Sequence, residues 1–334
     1  MEVFIMRKSV ICLAAIIALI GISGCLLPFS EADGRFERTI NVTGPVNVDV
    51  FTGSGAIEVR SGSPDVIRIY GTVKARGLGR VSAEEKLQYI KAHPPIESNG
   101  NTIRIGRIED EAYQQNVSIS YEIQVPPDTT LSSRSGSGSL RVDGLHGSVE
   151  AGTGSGSIAV SYIQGNVSVH TGSGSIELHS ITGRLDAKTG SGSINGERIA
   201  GSISAQTGSG RITLEQTTVE KGLPLDVEAH TGSGGIEVSG VHGSLKAGSG
   251  SGGIQISGNP VRDWNIRTSS GGVTIEMPRE AAYELRARTS SGHISVDQPI
   301  EVVGNIGRKE LQGKVHGGGS LVEVHTGSGS ITIR

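Results

Sequence analysis

One aliphatic position keeps time along most of this chain: Leu140, Ile158, Ile176, Ile194 and Ile212 stand 18 residues apart. Each closes a Gly-Ser-rich hexapeptide, which reads T-G-S-G-S-I at 153–158, 171–176, 189–194 and 326–331, with a degenerate T-G-S-G-A-I at 52–57. After Ile212 the spacing loosens through Ile236, Ile254, Val273 and Ile294 before Ile331 ends the series. Counted from each such residue as zero, positions +2, +5, +9 and +11 are small or aliphatic: Val160, Ile163, Val167 and Val169, then Leu178, Ile181, Leu185 and Ala187. The 0/+2 and +9/+11 pairs alternate as strands do. Gly at +7 (Gly165, Gly183, Gly201, Gly243) and the Gly-Ser-Gly run punctuate two reversals.

A fixed period of this length signals a solenoid. No single unit can bury its apolar side chains, but parallel stacking at about 4.8 Å lines an interior with Ile, Val, Leu and Ala. The expected fold is all-β, a right-handed parallel β-helix or solenoid of about ten coils of about 18 residues. A left-handed hexapeptide helix needs an apolar residue every six, and His146, Gln164 and His242 at +6 break that pattern. The hexapeptide glycines are expected to serve corners with φ > 0 and close approach of neighbouring backbones. Thr and Ser at the same corner of successive coils can hydrogen-bond along the stack.

Before the regular coils the pattern is looser. Val46, Val48 and Val50 alternate in phase with the repeat, and strands are expected at 67–74, 102–106 and 117–125, the first followed by a bend at Gly77 and Gly79. Ser82 and Glu85 form a capping box ahead of Leu87 and Ile90, and His93-Pro94-Pro95 stops the segment. The helix at 82–92 is expected to be the only one, capping an end or side of the solenoid. Six extra residues between Ile212 and Ile236, with Thr217, Glu220, Lys221 and Pro224, predict a projecting loop; a longer excursion at 299–319 with a Gly317-Gly318-Gly319 run predicts mobility before a last coil.

Aromatics make up 3% of the chain and Gly supplies 51 residues, which suits a slim repeat core better than a thick globular one. Gly/Ser richness also suits a flexible linker, but the regular apolar positions oppose that reading. At the amino end, Arg7 and Lys8 precede an apolar run over 10–20 that leads to Ile22-Ser23-Gly24-Cys25. This order is that of a signal peptide. The small residues before Cys25 resemble a bacterial lipobox, and the resemblance implies cleavage before Cys25 and lipidation of its thiol. Leu26 follows where an Asp would favour inner-membrane retention, so the outer membrane is the expected destination in a Gram-negative cell. The organisation then reads as a signal peptide at 1–24, a tether at 25–40, an N-terminal β region with the helix at 41–130, and the repeat solenoid at 131–334.

The other cysteine, Cys12, lies in the leader, so the mature chain is expected to have no disulfide. Loss of Glu2, Arg7 and Lys8 makes it one charge more negative than the −3 of the whole chain. No basic block points to nucleic acid.

The leader, the alternating strands, the V-P-P-D-T-T-L segment at 125–131 and the serial S-G-S-G coils together resemble the bacterial putative-adhesin domain family. The resemblance implies an envelope β-helix outside the cytoplasm and brings no catalytic residues. Many relatives carry an acidic residue after the second Gly of the turn; Ser157, Ser175 and Ser193 stand there in this chain.

A carbohydrate-cleaving β-helix needs paired carboxylates on outward positions. At +1 no two acids stack, and at +3 only Glu197 and Glu215 are neighbours, without a base, nucleophile or basic clamp. His170, His230 and His325 share +12, but Lys188 and Gln206 separate the first two, so no zinc site and no cofactor are expected. The Thr column at +13 (Thr153, Thr171, Thr189, Thr207, Thr231) could face an ice or sugar lattice if displayed, yet its parity is inward. Trp264 takes the inward +9 slot, with a sugar-stacking patch as the alternative if Pro260 shifts the register. The resulting expectation is a non-enzymatic envelope lipoprotein, an adhesin-like or structural β-solenoid whose partners are the bilayer and surface glycans or envelope proteins. The rivals are an envelope-stress accessory acting through a membrane partner and a carbohydrate-active enzyme.

Overall fold

The computed structural model describes residues 30–77, 81–217, 224–302, 307 and 309–334. Two sheets of 14 and 15 strands face each other along the whole stack. Each regular coil contributes one strand to each, as Ile158–Ile163 to the first and Val167–Thr171 to the second. Neighbouring coils pair in parallel and in exact repeat register, Ile158 on Ile176 and Val167 on Leu185. Ile158, Val160, Ile163, Val167 and Val169 are buried between the sheets, as the period demanded. The solenoid expectation holds.

The corners are held by the Thr column. Thr171 Oγ1 donates to the Gly156 carbonyl of the preceding coil at 2.8 Å and accepts from the Gly174 N–H at 3.2 Å, and Thr153, Thr189, Thr207 and Thr231 repeat both bonds. These threonines are buried, so they display no lattice. None of the hexapeptide glycines has positive φ. Their reason is close approach: a Cβ on Gly174 would run into the Gly156 carbonyl carbon and oxygen. The left-handed corner lies instead at +4, where Tyr162, Ser180 and Arg198 have φ of 55°, 53° and 54°.

Both ends depart from chain order. The first coil, Val46–Thr52 with Ile57–Ser61, does not end the stack. It lies between the later coil Thr102–Ile105 with Val117–Val125 and the coil Thr129–Ser135 with Leu140–Asp143. At the other end the last coil, Ser320–Thr326 with Ile331–Ile333, slides between Trp264–Thr268 with Val273–Glu276 and Tyr283–Thr289 with Ile294–Val296. Chain order and spatial order therefore part at Ile331, whose strand pairs on one side with Val273 and on the other with Ile294. The corner bonds follow space, with Thr326 Oγ1 donating to the Gly271 carbonyl and Thr289 Oγ1 to that of Gly329.

Antiparallel strands flank both terminal coils. The strand Ser30–Asn41 pairs antiparallel with Val66–Gly77, which corrects the tether expected at 25–40: the described part from Ser30 on is sheet, with Phe36 buried over Gly71. α1 (Ala83–Ala92) has the expected capping box at Ser82 and Glu85 and buries Ala83, Leu87 and Ile90 toward these strands. Its Lys86 is also buried, donating to the Arg76 and Gln115 carbonyls at 3.1 and 2.8 Å. A second, one-turn helix, α2 (Glu111–Gln114), corrects the expectation of a single helix; Asp110 caps it and Tyr113 stacks on Tyr89 at 3.9 Å. The 299–319 excursion contains strands Glu301–Val302 and Glu310–Val315, the latter antiparallel on Tyr283–Thr289. Gly317 and Gly318 form a positive-φ turn there. The centre of the insertion after Thr217, with Glu220 and Lys221, lies outside the described residues, as does Gly79.

Candidate functional site

Strand parity sends +9, +11 and +13 inward in the second sheet and leaves +10 and +12 on its outer face. The +10 column then reads, rung by rung in space, Asp49, Ser132, Glu150, Ser168, Asp186, Ser204 and Glu228. Acid and serine alternate over seven consecutive rungs. The neighbouring +12 column carries partners for the acids: Arg134 reaches Asp49 at 3.9 Å and Glu150 at 2.8 Å, Lys188 meets Asp186 at 3.0 Å, and the His230 ring meets Glu228 at 3.2 Å. These pairs are solvent-exposed and contribute little to stability.

Over the N-terminal part of this face lies a groove of about 530 Å³. Its floor includes the column from Asp49 to Asp186, and Thr130, Ser148, Asn166 and Arg184 also line it. Small side chains at Ser132 and Ser168, set between longer acids, leave room there. Two polar atoms of the column, Ser132 Oγ and Asp186 Oδ1, are shielded from solvent and have no hydrogen-bond partner among the described residues. A carboxylate accepts only, while a hydroxyl both donates and accepts. The column therefore offers acceptors on every rung and a donor on every second one. Farther along the face, the hydrogen bond from the Ser244 hydroxyl at 2.7 Å, with Arg262 nearby, holds the Asp226 carboxyl below the usual carboxylate range.

The residues singled out from sequence are placed as follows. Glu197 and Glu215 are not a registered pair, because the ladder shifts between Gly196 and Ile199. Glu197 instead lies 3.4 Å from His179, which also touches Arg198. His170, His230 and His325 are outward on separate rungs, and among the described residues no group of three His, Cys, Asp or Glu side chains is placed to hold a metal ion. Trp264 is buried in the core slot, its Nε1 donating to the Gly243 carbonyl at 3.0 Å. Cys25 lies outside the described residues. Among the described residues no helix is long and apolar enough to cross a membrane.

The acid–serine column lies on the second sheet, whereas the +1 and +3 positions considered for paired carboxylates lie on the first. Glu150, Ser168, Asp186 and Ser204 were readable at the 18-residue spacing. The Asp49–Ser132 step was not, since it depends on the displaced first coil.

The search of curated proteins gives no match. Among solved structures, a chain described as a putative cell adhesion protein from Clostridium sporogenes is 10% identical, covering 90% of this chain and 99% of its own, with a TM-score of 0.23. One described as a putative lipid binding protein from Parabacteroides distasonis is 14% identical, with coverages of 90% and 96% and a TM-score of 0.38. A putative adhesin from Bacteroides fragilis is 13% identical, with coverages of 90% and 97% and a TM-score of 0.31. Likeness at this level carries no weight for function. The family model described as Toastrack DUF4097 matches residues 80–334, from just before α1 to the last strand, and the chain belongs to that family.

Proposed function

We propose that this protein is a non-enzymatic envelope lipoprotein, held to a membrane through lipid on Cys25, that binds glycans of the envelope or of a cell surface with the outer face of its second sheet. The observation that carries the binding face is the groove, whose exposed lining is mostly carbon and whose floor carries the acids and serines of the column from Asp49 to Asp186. Apolar surface with a few convergent polar groups is the usual make-up of a ligand groove. The rigid solenoid behind the face holds these groups at fixed spacing, so little ordering of the protein accompanies binding. Anchoring and exposure rest on the leader and Cys25.

Proteinase treatment of intact cells tests the display. Digestion of the wild type from outside, with release of a Cys25→Ala variant from the membrane fraction, is the expected result. Protection on intact cells with digestion after permeabilisation removes the surface-adhesin form and leaves a periplasmic glycan binder. A Cys25→Ala variant that stays in the membrane fraction contradicts the lipid anchor.

A further inference from the structure

We infer that the groove binds a linear, uncharged β-1,4-linked glycan lying along the stack axis and read once per disaccharide by the alternating acid–serine column. The inference rests on the groove being the binding face proposed above, and adds what the ligand is and how it is registered. Rungs are about 4.8 Å apart, so like residues of the column recur about every 9.6 Å. That is close to the length of one disaccharide in an extended β-1,4 chain. In such a chain successive rings are turned over, so the same edge faces the protein once in two sugars. A two-rung repeat on the protein and a two-sugar repeat on the ligand therefore stay in phase over several units.

The chemistry selects the charge of the ligand. Asp49, Glu150 and Asp186 each already have a cation within the chain, which leaves acceptor capacity for neutral hydroxyl or amide donors more than for a second cation. An acidic polysaccharide would bring like charge onto the carboxylates. The intervening serines, Ser132 and Ser168, give short hydroxyls that leave room for a ring. Alternation also keeps like charges apart, as suits any solvated face. It coincides here, however, with the groove, whose floor holds the alternating rungs from Asp49 to Asp186. The +12 column of the same rungs shows no such order, with Arg134, Gly152, His170 and Lys188 in sequence.

The test is calorimetric titration of the full-length protein in detergent with N-acetylglucosamine oligomers of one to six sugars, and with polygalacturonate as the acidic comparison. Affinity is expected to rise mainly on completing each disaccharide, and polygalacturonate to bind weakly or not at all. Glu150→Gln and Asp186→Asn are each expected to weaken the hexamer about tenfold, the usual consequence of losing a hydrogen bond to a charged group. Unchanged thermal midpoints would show that these outward variants remain folded. Equal gains for every added sugar, preference for polygalacturonate, or unaltered affinity in both folded variants would overturn the inference. No binding at any length by a protein that is nevertheless digested on intact cells would also overturn it, while leaving anchoring and display standing.

Discussion

In the middle of the stack, residues 18 apart in sequence are neighbours in space; at both ends they are not. Val169 pairs with Ala187 and Ala151, the coils immediately after and before it. Val322 in the last coil pairs with Trp264 and Leu285, and so separates two coils that are consecutive in the chain. The middle is built from nearest-neighbour interfaces of low sequence separation, the additive arrangement of repeat proteins. The ends depend on a terminal segment arriving from far away in sequence, with the loop-closure entropy and slower assembly that long separations bring. Bulk follows the same division: Tyr121 and Trp264 with Tyr283 fill the end coils, while Ile, Val, Leu and Ala fill the middle. Antiparallel strands outside the end coils cover three of the four sheet ends, and Ile294–Val296 is the uncovered edge of the first sheet among the described residues.

The sharpest way to break this contrast is by deletion. Removal of residues 320–334 withdraws Val322, Val324, Ile331 and Ile333 from the core, at about 2 kcal/mol each, and unseats the Tyr283–Thr289 coil as well. Trp264, the only tryptophan, loses its cover and its emission moves to longer wavelength. Removal of the middle coil 194–211 joins Ser193 to Ile212 in phase, and should leave Trp264 emission unchanged with a modest fall in thermal midpoint. Equal damage from both deletions would contradict the distinction.

A smaller effect separates equivalent glycines. Gly172→Ala places a Cβ against the Gly154 carbonyl and is expected to destabilise by about 1–3 kcal/mol in chemical unfolding. Gly53→Ala, at the same place in the motif but in the displaced first coil, meets nothing within 4 Å and should be nearly neutral. Next comes Thr171→Val, which leaves the Gly156 carbonyl and Gly174 N–H without their side-chain partner; about 1–2 kcal/mol is expected, with Thr171→Ser restoring most of it.

The mildest probe is alkaline pH, read through two phenols buried in the end coils. Burial raises the phenol pKa of Tyr121 above the ordinary 10.0, and pushes that of Tyr283 up to about 12. The folded state thus keeps protons that the unfolded state releases. Stability from these groups is full below pH 10 and falls as pH rises from 10 toward 12. Absorbance of ionised tyrosine and loss of Trp264 burial should rise together in that window. Tyr283→Phe should move the onset to higher pH.

Much of this was legible in the sequence for a physical reason: a repeat writes the same packing requirement many times. Inward slots, the buried Thr corner and the place of Trp264 follow from period and parity, and the Ser82 capping box follows from its local Ser-x-x-Glu spacing. What could not be read was topology at the ends. Val46–Thr52 has the correct phase for a coil, but phase gives no rung number, and nothing local shows that Thr102–Ile105 lies outside it. The strand at Ser30–Asn41 was also hidden, because at its edge position only Phe36 is buried and the alternation is weak. For the groove, the acids and serines were visible while the concavity was not, since it depends on which coils lie side by side.

The groove account is tested most directly by retention of the full-length protein on insoluble chitin. Ser168→Arg puts a long side chain on the groove floor, whereas Ser257→Arg puts the same one on the opposite sheet. The account predicts at least about tenfold less retention for Ser168→Arg, the loss expected when a site's hydrogen bonds are blocked, and wild-type retention for Ser257→Arg. Equal retention of the two folded variants would contradict it.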